Sequence, residues 1–343
     1  MISRQADPPN LETPLDQLTT WITPSDQFFV RTHHDIPRVN PYEWRLYIEG
    51  AIAHPLTLTL DELKAFPGVS QVVTLECAGN GRAFYRPKVI GVPWEKGAVS
   101  TARWTGVRLV DLLRRAGVKE HGQHVICAGA DVEGQKPKFI RSFPIEKALE
   151  PATLLVYEMN GLPLPVSHGY PLRLVVPGWT GNHSVKWLNS ISVSSEPYDG
   201  ASMDEYRFPT TYVSPGTSVK PEHMEMITGL PVKSLITYPQ ETMQLHPGLI
   251  PIRGAAYGGQ GGIARVEVST DLGRQWSSAE LGNDIAPHAW RLWQYQWYAK
   301  QVGAYMLMVR AYDSVGQTQP LEPFWNPEGA LWNVIDRIRV SVS

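Results

Sequence analysis

Apolar positions follow two different rhythms along this chain. In the first part, helical spacing alternates with short apolar runs. Leu109, Val110, Leu112, Leu113 and Ala116 fall on one side of a helix, which Gly117 ends. Shorter helices are predicted over residues 60–66, stopped by Pro67 and Gly68, and over 145–149. Strands are predicted over 44–48, 71–76, 124–128, 153–157, 172–176 and 188–193. The mixture lacks strict βαβ alternation, so this part reads as α+β. A polar stretch with Pro, Gly and three tyrosines covers residues 194–220. Beyond it, short β-rich segments recur at 234–237, 248–256, 263–269, 294–298, 305–312 and 335–342, with no predicted helix among them. Gly-rich turns such as 258–262 separate them, the pattern of an all-β sandwich. Three parts follow: a polar N-terminal extension over 1–25, a mixed α+β unit over 26–220, and a β-sandwich over 221–343.

Composition narrows the function. At about 150 residues per domain, 343 residues make two domains. The formal net charge of −2 gives no global attraction to nucleic acid or acidic membranes. Two cysteines exclude a disulfide scaffold and a four-thiolate metal site. An apolar fraction of 43% excludes a disordered chain. No run approaches the roughly 18 apolar residues of a membrane span. Residues 1–21 show neither an apolar leader nor an Arg-Arg pair. The expected compartment is cytoplasmic for this chain as it stands, and periplasmic if a leader has been removed.

Cys77 is the first candidate for chemistry. It ends a predicted strand, is followed by Ala78 and Gly79, and has Arg82 close in sequence. Small neighbours leave room near the sulfur, and positive charge favours thiolate. Taken alone, Cys77 reads more readily as a buried core cysteine. Cys127 has no adjacent Arg and reads as a core residue. Arg31 and His33 are two apart, so an extended segment points both to one side. His168, Arg173 and Lys186 cluster around a turn and could grip an anion; taken alone, they read as a charged rim. There is no haem-attachment motif, no His-Glu-x-x-His, no Walker A loop and no Gly-x-Ser-x-Gly. Residues 258–262 precede a strand rather than a helix, so they read as a turn and not a phosphate loop.

Taken together these stretches are specific. Phe-Phe-Val-Arg-Thr-His at 28–33, Glu-Cys-Ala-Gly-Asn-Gly-Arg at 76–82 and Gly-Ala-Val-Ser-Thr-Ala-Arg-Trp at 97–104 occur in order. Tyr-Glu-Met-Asn-Gly-x-Pro-Leu-Pro at 157–165, His-Gly-Tyr-Pro-Leu-Arg at 168–173 and Ser-Val-Lys-Trp-Leu at 184–188 follow, then residues 261–269 in the sandwich. From about residue 20 onward the chain resembles the sulfite oxidase family of molybdenum enzymes. The resemblance implies a mixed α+β molybdopterin-binding domain followed by an immunoglobulin-like β-sandwich dimerisation domain, and hence a homodimer. It implies Cys77 as the sole protein ligand of molybdenum, with the pterin dithiolene supplying two more sulfurs. It assigns Phe29 (through its backbone), His168, Arg173, Ser184 and Lys186 to the pterin and its phosphate, with Asp131 as a further position. It assigns Arg31, Arg82, Trp94 and Tyr206 to the substrate pocket, with His33 beside it. Tyr198 and Tyr212 are rivals for the place of Tyr206.

The implied reaction is oxidation of sulfite to sulfate by oxygen-atom transfer, with electrons passed to an external acceptor, cytochrome c or oxygen. A small dianion needs two or more guanidinium groups to offset its desolvation, which suits the arginines of these motifs. Two departures stand out. Glu328 occupies a position in Trp-Asn-x-x-Gly where sulfite-oxidising members often carry Arg, and no fused cytochrome b5 domain is present in this sequence. The competing functions are reduction of another oxo-compound such as nitrate or a sulfoxide, a non-catalytic module on the same fold, and a cofactor-free thiol enzyme.

Overall fold

The computed structural model describes residues 1–131 and 139–343. Two sheets frame the first unit. One runs in the order Leu162–Pro163, Leu154–Met159, Val99–Arg108, Gly68–Glu76, with Arg173–Val175 also pairing with Leu154–Met159. The other runs Leu56–Leu58, Leu46–Gly50, Leu188–Ser194, His124–Gly129, Ile140–Pro144. Its Leu46–Gly50 and Leu188–Ser194 strands are parallel and its other pairs antiparallel.

The helix Leu109–Ala116 follows its strand without a loop and buries all five predicted apolar residues. Gly117, at φ +69°, closes it by donating its N–H to the carbonyls of Leu113 and Arg114. Leu60–Lys64 begins at a capping box between Thr59 and Glu62. Leu46, Leu112, Leu113, Leu174, Leu188 and Ile191 are fully buried in the core between these elements.

The sandwich pairs a sheet ordered Lys233–Tyr238, Gly248–Tyr257, Arg291–Ala299, Glu280–Leu281 with one ordered Gln244–Leu245, Asp336–Val342, Gly303–Asp313, Ile263–Ser269, Ser277–Ser278. Alternate residues face inward, among them Ile250 and Ile252, Val266 and Val268, Leu307 and Val309, Ile338 and Val340. Gly258, Gly259, Gly261 and Gly262 all have positive φ, the backbone of a turn between two strands.

Two connecting regions carry more structure than their composition suggests. Residues near 220 lie inside a hairpin, Arg207–Pro209 against Met224–Met226. Ile227 packs in the core of the first unit, Thr180 donates to the Thr228 carbonyl and Leu230 to that of Gly178, and the first sandwich strand starts only at Lys233. The polar N-terminal stretch forms a hairpin, Ile2–Gln5 against Asn10–Glu12. Leu11 then pairs with Val30, and Leu18 is buried beside Tyr257 and Trp290 of the sandwich.

Candidate active site

The end of Gly68–Glu76 delivers Cys77 to an internal cavity. The Cys77 N–H still pairs with the Ala98 carbonyl at 3.0 Å, and its own carbonyl accepts from Asn80 at 2.9 Å as the chain turns. Gly81, at φ +93°, is required here: a Cβ would lie 2.5 Å from the Trp332 side chain. The cavity, counted out to solvent at its mouth, holds about 670 Å³. Cys77, Phe29, Arg31, His33, Asp131, His168, Arg173, Ser184, Lys186 and Tyr206 all line it. Residues far apart in sequence and named from separate motifs thus meet at one place. Cys127 is fully buried in the core, and burial pushes its thiol pKa up.

One set of cavity-lining side chains is built for anions. Arg173 lies with its guanidinium 4.8 Å over the Trp104 ring and donates to the carbonyls of His168 and Ser184. Lys186 donates to the Ser167 carbonyl at 2.8 Å and sits 4.1 Å from the Trp187 ring centroid. These bonds go to neutral carbonyls, and burial lowers both pKa values, that of Arg173 to about 9 and that of Lys186 well below its usual range. Asp131 offsets part of this for Lys186. His168 is 3% exposed, bonded to the Ser25 carbonyl, and held neutral by burial and by Lys186, with a pKa of about 3.

A second set is Arg31, His33 and Tyr206, near enough to Lys186 for its charge to bear on His33 and Arg31. Arg31 donates to the Thr32 carbonyl and to Asn10 Oδ1, and Asn10 also accepts from the Thr32 N–H. Tyr206 and His33 Nε2 are 2.5 Å apart. Phe139 stacks on the His33 ring at 4.2 Å. Burial first, then the Arg31 charge, keeps the His33 pKa well below normal, and burial raises that of Tyr206. Of the rivals, Tyr212 is 68% exposed against Phe324, and Tyr198 does not line the cavity.

Two expected pocket residues lie elsewhere. Arg82 does not line the cavity. It is pinned by the carbonyls of Glu328 and Val92, and its guanidinium fills the space a side chain on Gly79 would take. The bare backbone after Cys77 therefore accommodates an arginine rather than an incoming ligand. Trp94 is fully buried in the core behind Cys77, and its indole N–H has no partner. Glu328 also stays out of the cavity lining, and burial raises its carboxyl pKa.

The sequence reading missed four features. Asn10 orients Arg31. Asn182, 7% exposed and lining the cavity, leaves both amide atoms unpartnered; its only signal was its place two residues before the Ser184–Leu188 motif. Arg141, fully buried, stacks on Tyr206. Glu76, beside Cys77, accepts at one oxygen from Asn80 at 2.8 Å, Lys233 at 2.5 Å and Tyr257 at 2.8 Å. Lys233 and Tyr257 come from the sandwich, so the second unit buttresses the cysteine.

A cavity-facing thiol, an orphaned buried amide and buried cations without carboxylate ion pairs among the described residues fit a group with a soft metal at one end and an anionic, polar tail at the other. Fold and site thus define a molybdopterin-binding oxidoreductase. Residues 33–202 match the family model of the oxidoreductase molybdopterin binding domain, and 224–343 that of the Mo-co oxidoreductase dimerisation domain. The mitochondrial sulfite oxidase of Rattus norvegicus is 39% identical over 98% of this chain and 64% of its own length. The sulfite oxidase of Gallus gallus is 38% identical, over 94% of this chain and 74% of its own. The NADH nitrate reductase of Volvox carteri is 34% identical over 97% of this chain and 42% of its own. The crystal structure of the sulfane dehydrogenase SoxCD from Paracoccus pantotrophus superposes with a TM-score of 0.83 at 29% identity, covering 95% of this chain and 82% of that one. The chain belongs to the sulfite oxidase family of molybdopterin enzymes. It spans about 64% of the length of the mammalian relatives.

Proposed function

We propose that this protein oxidises sulfite to sulfate. The observation that carries the reading is the meeting of one cavity-facing thiol, Cys77, with Arg31, Arg173, Lys186 and the His33–Tyr206 pair in a single enclosed site. Bound to Cys77, the molybdenum–pterin cofactor supplies the oxygen-atom transfer and two-electron chemistry. His168, Arg173, Ser184, Lys186 and the Phe29 backbone hold its pterin and phosphate, where charge-assisted contacts are strongest. The unpartnered Asn182 amide adds a group that both donates and accepts, which suits a neutral heterocycle edge.

Arg31 draws the small dianion into the cavity and offsets its desolvation. The Tyr206 hydroxyl orients an oxygen of the substrate. His33, held neutral, donates from Nε2 to the Tyr206 oxygen when its hydrogen is on that nitrogen, which leaves the hydroxyl hydrogen free for the substrate. The balance is sulfite plus water giving sulfate, two protons and two electrons. The electrons leave for a separate acceptor, a cytochrome c or oxygen. The matched dimerisation-domain family supports a homodimer joined through the sandwich. There Leu249 and Tyr298 pair across adjacent strands at 66% and 62% exposure.

Steady-state assay of molybdenum-loaded protein with sulfite and either cytochrome c or ferricyanide tests the function. Sulfite-dependent acceptor reduction is expected, and a loaded enzyme that shows none sinks the reading. Nitrate in the same preparation, with a reduced viologen as donor, tests the activity named for the nitrate reductase relatives. Sedimentation at micromolar concentration tests the dimer.

A further inference from the structure

Arg141 is a buried charge that nothing so far explains. It enters from the strand Ile140–Pro144 and is fully buried. Its Nη1 donates to the Ser202 carbonyl, while Nε and Nη2 have no partner. It forms no ion pair among the described residues. Such a group costs several kcal/mol to bury unless an anion is present at least part of the time.

Its position says which anion. The guanidinium lies 5.0 Å from the centroid of the Tyr206 ring, over its face. The hydroxyl of that ring is the one that meets His33. Phe139, two residues earlier on the same segment, stacks on the His33 ring. The arrangement is locked from below: Ser202 Oγ donates to the Ile140 carbonyl, and the Ser142 N–H points at Met203 Sδ. One short segment therefore fixes both members of the Tyr206–His33 pair and carries a positive charge behind them.

We propose that Arg141 is a positioning residue for the substrate: it adds, through Tyr206, a further positive charge beside Arg31 to those that a dianion needs in the cavity. This rests on reading the cavity as a sulfite site, and it replaces the contribution that Arg82 does not make there. Burial lowers the Arg141 pKa to about 10, so it keeps its charge at neutral pH. The other charged or titratable groups around it are Glu205, exposed at the surface, and the neutral His33 and His183.

The test uses holoenzyme of wild type, Arg141→Gln and Arg141→Lys, with sulfite as substrate and sulfate as a competing anion. Circular dichroism and cofactor content establish that each is folded and loaded. The Gln variant is expected to raise the KM for sulfite and the inhibition constant for sulfate at least tenfold, with kcat falling much less than KM rises. The Lys variant should restore most of both. A folded, loaded Gln variant with both constants unchanged overturns the proposal, because a merely structural role moves stability and not anion affinity. If the Gln variant does not fold, the Lys variant carries the test: sulfate inhibition within threefold of wild type supports a charge role, and a tenfold loss overturns it. Failure of the wild type itself to turn over sulfite overturns the functional reading, an outcome distinct from either.

Discussion

Lys233→Met removes the one charge that neutralises Glu76. Glu76 is 3% exposed and 181 residues away in sequence from the Tyr257 that shares it. In the variant its carboxylate keeps two neutral donors, Asn80 and Tyr257, but no cation. Breaking a buried pair on one side costs about 3–5 kcal/mol. Adding Glu76→Gln removes the stranded charge while leaving an amide oxygen for Asn80 and Tyr257. Replacing both members of such a pair by neutral groups is often nearly neutral, so the double variant should lie within about 2 kcal/mol of wild type. The prediction is an unusual order: the double variant is more stable than Lys233→Met alone, with a coupling energy of at least about 2 kcal/mol. Urea unfolding of the cofactor-free protein, followed by tryptophan fluorescence, measures it. A Lys233→Met variant within 1 kcal/mol of wild type, or a double variant no better than the single, would refute the reasoning.

Three further outcomes follow from the site. His168 and His183, each with a folded pKa of about 3 set chiefly by burial, stay neutral while the unfolded chain takes up protons below about 6.5. Their contribution is complete above that pH and is lost as pH falls toward 3, roughly 2–3 kcal/mol each between pH 7 and 4.5; a decline left undiminished by His183→Gln would count against it. Asn182→Leu removes an unpaired buried amide worth about 1–3 kcal/mol of penalty, so the cofactor-free protein should be no less stable while the purified protein retains less pterin and molybdenum. Trp94→Phe should lower stability by about 1–2 kcal/mol and leave the KM for sulfite within twofold; a large change in KM would put Trp94 back at the substrate.

Legibility in the sequence followed local physics. Leu109–Ala116 was readable to the residue because an apolar stripe and a terminal glycine are both local signals. Ile263–Ser269 was readable because one face is core and the other solvent. Val99–Arg108 was not read as a strand: it is buried on both faces over much of its length, so no period-two alternation marks it. The cavity residues came from motif resemblance, and the motifs converge in space. What the motifs could not supply is side-chain direction. Arg82 follows Cys77 closely but turns away, because Gly79 and two carbonyls offer it a better seat. Arg141 carries no local signal at all, since its partner Tyr206 reaches it only through the tertiary fold.

The clamp that Asn10 places on Arg31 and Thr32 changes what the first dozen residues are for. By composition they look like a dispensable tail, the part most readily trimmed or fused to a tag. Yet a chain starting at Thr13 would keep every motif residue while losing the side chain that aims Arg31 into the cavity. Such a protein would also lose the Leu11–Val30 pairing, and it would bind its anion poorly.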